Sequence, residues 1–468
     1  MKEIIQASAK WLVVGLVCSG LSGCQKQLKE QEQDQEILSS ANDHGNGSHA
    51  RDFSSTVVVD WMNVQMRIIQ ATPLSFGGFN SRFIGYTGVA AYEAIVPGMP
   101  GYKSLLGQLN GLTSLPAVQH GKSYHWPTVE NAALATMNRG FYTMATPFYQ
   151  QLIDSLENAL NAQYQLQTNP ETFQRSKDFG KAIAEAILNW AATDGVSISH
   201  PTYVPPPGLG KWAPTPPGFA PAAGPYYGLT RTLVAGSFDG SMPVPPPAYS
   251  ADPSSDYYKR MKEVYDVSQT LTPQQIQMGL YYRDNPGLQG GGGAYFGILY
   301  QIIKIEKPDL DQAALDFAEM GITLADALMG CWKVKYDLAF NFERPIRYIR
   351  NELGHPTWNP LFATPPHPDV PSGHSTNAGA MEIVFNDLFG EHYQFTNHLY
   401  DTLGMPPQVY HNFGDMAEQI GLARLYAGIH TRVACDLGRK QGNIIARNIL
   451  RKLKFHDSRD RHDYDDGD

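Results

Sequence analysis

An all-α fold follows from three features of the 468-residue sequence. Apolar residues recur at three- and four-residue steps through long segments, which is the period of a helix face. No series of alternating apolar and polar residues marks a set of strands. The prolines and glycines that no helix can run through are crowded into residues 201–250, and helical patterning resumes beyond them. Hydrophobic residues make up 42% of the chain, enough for one large or two ordinary domains with a real core. Charged residues are only 17%, which excludes a disordered acidic chain. A net charge of −9 argues against nucleic acid as a partner, because phosphate backbones require a basic face.

The first residues read as a targeting segment. Lys2 and Lys10 flank a basic start, and the apolar run Trp11 to Leu21 is too short to span a bilayer, which takes about 20 residues. It ends in Leu21-Ser22-Gly23-Cys24, which resembles the bacterial lipobox. That resemblance implies signal removal, lipidation of Cys24 and an exported protein held to the cell-envelope membrane by its lipid anchor. An ordinary secretory signal with an incidental Cys24 is the alternative, and either one takes the protein out of the cytoplasm. Residues 25–55 begin QKQLKEQEQDQE and read as a flexible tether.

Residues 56–455 are expected to form the helical domain. Helical patterning covers 56–164, densest over 127–164, and again 171–194. The stretch from 201 (PTYVPPPGLGKWAPTPPGFAPAAGP) interleaves Tyr203, Trp212, Phe219, Tyr226 and Tyr227 with its prolines, so an ordered loop packed on the domain is expected, with a domain boundary as the alternative. Helices resume near Ser255. The Gly-rich 287–293 lacks the ending of a phosphate-binding loop and reads as a turn. The charged tail 456–468 reads as frayed and solvated, weak metal binding by its His and Asp residues being the lesser reading. After signal removal and lipidation of Cys24, Cys331 and Cys435 remain, as a disulfide or as two buried thiols.

Three patches between 309 and 450 carry residues that are costly to bury without a ligand. In the first, Leu310, Ala314, Phe317, Gly321, Leu324, Leu328 and Cys331 form one helix face. The next step lands on Lys335, while Lys333 falls off the stripe, so Lys335 is predicted to point inward. Arg344-Pro345 follows, where proline is expected to stop the helix. In the second patch, His367-Pro-Asp-Val-Pro-Ser-Gly-His374 precedes a stripe of Ala378, Met381, Phe385 and Leu388 that ends at Gly390. Ser372, Gly373 and His374 therefore sit at a helix N-terminus, where free N–H groups and the dipole favour an anion. Read in isolation, Ser372 is an ordinary cap. In the third, Met416, Ile420, Ala423 and Ala427 mark a buried face with Arg424 beside it, Gly428 ends the helix, and His430 stands at the next junction. Three cations, a helix N-terminus and two histidines are the inventory for a tetrahedral or trigonal-bipyramidal oxyanion.

Taken in order, K…RP, PSGH and R-x5-H resemble the superfamily of vanadium-dependent haloperoxidases and type 2 phosphatidic acid phosphatases. The resemblance is sharp over about 330–440 and diffuse upstream, and it implies an α-helical bundle. It further implies one vanadate per subunit, with Lys335, Arg344, Arg424, Ser372 and Gly373 around its oxygens. His430 would be the vanadium ligand and His374 would manage protons. Hydrogen peroxide and a halide would be the substrates, hypohalite the product, and an organic acceptor a possible further partner. His367, seven residues before His374, stands where bromide-oxidising members often have His and the chloride-oxidising fungal type has Phe. The expectation is therefore bromide or iodide.

Two departures stand out. Eight residues separate Lys335 from Arg344, two more than usual in the family, so a local bulge is expected. The phosphatases usually carry an Asp four residues beyond the second His to orient it; here that position is Ala434, and Asp436 is the nearest acid. A misplaced carboxylate disfavours nucleophilic use of His430 more than ligation, which tilts the reading from phosphatase to haloperoxidase. The alternative is a soluble, exported acid phosphatase with His430 as nucleophile and His374 as general acid.

Overall fold

The computed structural model describes residues 48–72, 78–283 and 293–456. Cys24, the lipobox, most of the tether, most of the Gly-rich 287–293 and residues 457–468 lie outside them. Thirteen α-helices are found among the described residues: α1 Thr56–Ala71, α2 Gly78–Ile95, α3 Trp126–Phe141, α4 Pro147–Tyr164, α5 Pro170–Ala191, α6 Asp256–Ser268, α7 Pro273–Tyr281, α8 Gly293–Glu306, α9 Leu310–Lys335, α10 Pro345–Asn351, α11 Gly373–Phe389, α12 Phe413–Tyr426 and α13 Arg432–Lys452. The predicted all-α class holds, with one addition. Phe395–Asn397 (β1) and Gln408–Tyr410 (β2) pair antiparallel between α11 and α12, too short for an alternating pattern to announce them.

Local chemistry sets most boundaries. Pro147, Pro170, Pro273 and Pro345 occupy the first helical position, where the missing N–H costs nothing. The side chains of Asn169, Ser255, Thr272, Ser372, Asn412 and Thr431 accept first-turn N–H groups. Pro345 corrects one expectation. It opens α10 rather than closing the helix before it, which has already ended at Lys335. The periodic stretch 127–164 is likewise two helices, because Tyr142 to Thr146 leave the helix before Pro147 restarts it.

The core is built around α9, buried along almost its whole length. Helix α2 lies against it at glycine distance: a Cβ on Gly88 would come within 2.6 Å of Phe317 O, and one on Gly85 within 2.9 Å of Gly321 O. Helix α13 closes on α11 in the same way, since a Cβ on Gly442 would meet Thr376 O at 1.9 Å. These approaches bring the C-terminus of α9, the N-terminus of α11 and the α12–α13 junction to one end of the bundle.

The Pro-rich segment is an ordered cover on that end. Trp212 is fully buried, and its backbone N–H donates to Asn341 O at 3.1 Å. Ala223 N donates to Pro366 O at 2.8 Å, while Ala223 O accepts from Trp332 Nε1 and Tyr336 Oη. Asp326 of α9 accepts the N–H groups of Leu233 and Val234. Among the described residues, no helix is long and apolar enough to cross a membrane.

Candidate oxyanion site

The predicted inward turn of α9 is present: Lys335 is 0% exposed, whereas Lys333 is exposed. Its Nζ donates to Pro368 O at 2.8 Å and lies 3.3 Å from Asp369 O. The two extra residues before Arg344 do not bulge a helix. They extend a turn after Lys335, held by Asp337 N to Val334 O, Phe340 N to Asp337 O and Ala339 N to the Asp337 carboxylate. Arg344 then returns to the site as the residue preceding α10.

Arg344 is 0% exposed and lies between the two loop histidines. Its Nη1 is 3.0 Å from His430 Nε2 and 3.3 Å from Nδ1, and donates to Ile429 O at 2.6 Å. Its Nη2 is 3.0 Å from His367 Nδ1. The His367 ring also packs 5.0 Å from Trp332 and 6.4 Å from His430, between centroids. Arg424 comes from the last turn of α12; it donates to Tyr282 O, and its guanidinium lies 5.7 Å from the Phe362 ring centre.

Ser372 caps α11 as predicted, its Oγ accepting from Ser375 N at 3.4 Å and Ser375 Oγ at 3.1 Å. Ser372 N donates to Ala434 O, which ties the cradle to α13. A Cβ on Gly373 would lie 2.9 Å from Trp332 Cζ3, so glycine is what lets the helix start approach α9 this closely. His374 follows in the first turn, its carbonyl accepting from Tyr295 Oη at 2.9 Å. Lys335, Arg344, His367, Ser372, Gly373, His374, Arg424 and His430 are thus drawn from three distant stretches to one end of the fold. Cys331 and Cys435 are both buried free thiols, which resolves the disulfide alternative.

A further residue, Asp369, received no role from the sequence. It is 1% exposed. Its Oδ1 lies 2.6 Å from His430 Nδ1, and its Oδ2 accepts from Thr431 Oγ1 at 2.7 Å. The carboxylate that holds His430 therefore comes from the segment before PSGH. This overturns the inference drawn from Ala434 and Asp436: His430 has an orienting acid, and its absence cannot separate the two activities. The available signal was that no other Asp or Glu occurs between Glu352 and Glu382.

Three buried cations against one contacting carboxylate set the electrostatics. Burial drives Lys335 down to about 7, with Arg344 adding to the fall. Burial also lowers Arg344 to about 10. His430 and His367 are held well below the ordinary imidazole value, first by burial and then by Arg344 and Lys335. Burial raises Asp369 to about 6 against the pull of Arg344. Lys335, Arg344 and Arg424 donate to backbone carbonyls, and the Asp369 carboxylate acts on both Lys335 and Arg344. An anion with several oxygens fits this donor set, beside a helix N-terminus. Among the described residues, no cluster of His, Cys, Asp and Glu is arranged to hold a metal cation.

Comparison with known proteins agrees. The family description "VCPO second helical-bundle domain" matches residues 316–458. Vanadium chloroperoxidase of Curvularia inaequalis is 26% identical over 257 residues, 43% of this chain and 41% of that protein, so the match spans well under half of the relative. The crystal structure described as the first bacterial vanadium-dependent iodoperoxidase superposes with a TM-score of 0.78 at 29% identity, covering 86% of this chain and 97% of that one. An apo-type bacterial vanadium-dependent chloroperoxidase shares the fold alone, with a TM-score of 0.61 at 14% identity over 82% of this chain and 96% of that one.

Proposed function

We propose, from the cation and histidine set and the likeness to vanadium haloperoxidases, that this chain binds vanadate between α9, α11 and the α12–α13 junction and oxidises bromide or iodide with hydrogen peroxide to hypohalite. The observation that carries the reading is the set of three buried cations, Lys335, Arg344 and Arg424, gathered around His430 beside the N-terminus of α11. Bound vanadate supplies a Lewis-acidic centre that activates peroxide without changing oxidation state. The chain does the rest. Lys335 and the two guanidiniums neutralise the oxyanion. Ser372 Oγ and the first N–H groups of α11 hold its oxygens. His430, kept neutral by burial and by its cationic neighbours, offers a ring nitrogen as ligand. His374, in the first turn of α11, would hold or release a proton beside the bound anion.

His367 against Trp332 and Arg344 supports bromide or iodide, as does the likeness to an iodoperoxidase. The envelope location by a lipid on Cys24, the single helical domain 56–455 and an organic acceptor belong to the same proposal. A second reading, phosphate-ester hydrolysis with His430 as nucleophile and His374 as acid, gains from the Asp369–His430 contact.

The test is bromide and iodide oxidation by the purified protein with and without orthovanadate, beside hydrolysis of a phosphate monoester. Vanadate-dependent halide oxidation that disappears in His430→Ala establishes the first reading. Vanadate-inhibited hydrolysis without halide oxidation establishes the second.

A further inference from the structure

Asp369 is placed to do more than fill a buried position. A carboxylate accepts hydrogen bonds and a guanidinium donates them. His430 meets one of each: its Nδ1 is 2.6 Å from Asp369 Oδ1, while Arg344 Nη1 lies over both ring nitrogens, 3.0 Å from Nε2 and 3.3 Å from Nδ1. The short carboxylate contact decides between the tautomers: it is satisfied when the proton sits on Nδ1, which leaves the lone pair on Nε2. The opposite tautomer leaves the Nδ1 lone pair against the carboxylate and points an N–H at a cation. Asp369 is itself fixed twice more, by Thr431 Oγ1 at 2.7 Å from Oδ2 and by its own N–H donating to Phe342 O at 3.0 Å.

The same segment runs on into the anion cradle. Asp369 is followed by Val370, Pro371, Ser372 and Gly373. Ser372 N is bonded to Ala434 O, while Thr431, which donates to Asp369, caps the same helix α13. The cradle and the group that orients the histidine are therefore one rigid piece, clamped at two points onto the helix that follows His430.

We propose that Asp369 is a positioning residue that locks His430 as the Nδ1–H tautomer and so presents the Nε2 lone pair to the oxyanion. The inference rests on the reading of His430 as a vanadate ligand, and it deepens that reading. Side chains that orient a ligating histidine typically contribute about 10–100-fold in affinity when removed.

The test pairs two measurements on wild type, Asp369→Ala and Asp369→Asn. Histidine-selective nitrogen-15 NMR of the vanadate-free protein, assigned through His430→Ala, reads the tautomer. Calorimetric titration with orthovanadate reads affinity. Wild type is expected to show Nδ1–H at His430. Asp369→Ala is expected to move the proton to Nε2 and to weaken vanadate binding about tenfold or more. Asp369→Asn keeps an acceptor oxygen and is expected to restore the tautomer and most of the affinity. Retention of Nδ1–H in Asp369→Ala, or an unchanged affinity there, overturns the proposal. Failure of wild type to bind vanadate would instead overturn the functional reading, while the tautomer result would still decide the role of Asp369.

Discussion

Arg344 Nη1 stands 3.0 Å from His430 Nε2 while its Nη2 stands 3.0 Å from His367 Nδ1, so one planar guanidinium sets the spacing of two imidazoles. Its Nε also donates to His367 O at 2.6 Å. A lysine would keep the charge but lose the fork. Arg344→Lys is expected to weaken orthovanadate binding about tenfold to a hundredfold, the scale of losing one or two hydrogen bonds to a charged partner. Calorimetric titration checks it; an affinity within about twofold of wild type removes Arg344 from the site.

Lys335 is a buried cation answered by carbonyls, a poor arrangement for an empty protein. Lys335→Met is expected to raise the melting temperature of the vanadate-free protein and to abolish the further rise that orthovanadate produces in wild type. Thermal melts with and without orthovanadate measure both. A Met variant that melts lower than wild type contradicts the assignment of burial as the dominant cost.

Outside the site, Asp316 on α9 is raised to about 7 by burial, opposed by its bond from Gln312 Nε2. Its unfolded value is about 3.8, so between about 4 and 7 the folded state binds more protons, and stability from this group falls as pH rises. Asp316→Asn removes that titration. The variant is expected to gain on wild type as pH goes from 4.5 to 8, by up to about 3 kcal/mol if the whole shift is realised. Denaturant unfolding at the two pH values measures the change. A difference that is flat with pH, or of opposite sign, refutes the prediction.

Gly442 leaves no room for a side chain: a Cβ would meet Thr376 O at 1.9 Å, and backbone cannot move aside as a flexible side chain can. Gly442→Ala is expected to destabilise the fold by about 3 kcal/mol or more, by prising α13 from α11. Because α11 begins at the cradle, its affinity for orthovanadate should fall with stability. A melting temperature within a degree or two of wild type would show that the helices can part at little cost.

Cys331 and Cys435 are buried free thiols, both raised above the ordinary thiol value by burial. The folded protein should therefore leave both thiols unreacted with an aqueous disulfide reagent, and both should react after unfolding. Peptide mapping of the labelled cysteines distinguishes them from Cys18 and Cys24.

Much of this molecule was legible in the sequence, because the relevant physics is local. Helical period put Lys335 on the buried face of α9, and Ser372 and Gly390 marked both ends of α11. Gly428, at φ 76, ended the run that carries Arg424 and left His430 at a junction. Each of these depends on residues within about one helical turn. Where Pro345 was read as a stop, the error was also local: a proline fits the first turn of a helix as well as it ends one.

Only the tertiary structure decided which acid serves His430. Asp436 is nearer in sequence, but it lies in the first turns of α13, and Asp369, 61 residues away, makes the contact. It decided as well that the Pro-rich segment closes on the site through Ala223, and that the extra residues after Lys335 form a turn. Hydrogen bonds between distant segments depend on how helices pack, and helix packing here is set by glycine clearances that spacing along one chain does not encode. The sequence by itself determined the fold class and the cationic inventory. The packing of α9, α11 and α13 decided the partner and the orientation of the histidine at its centre.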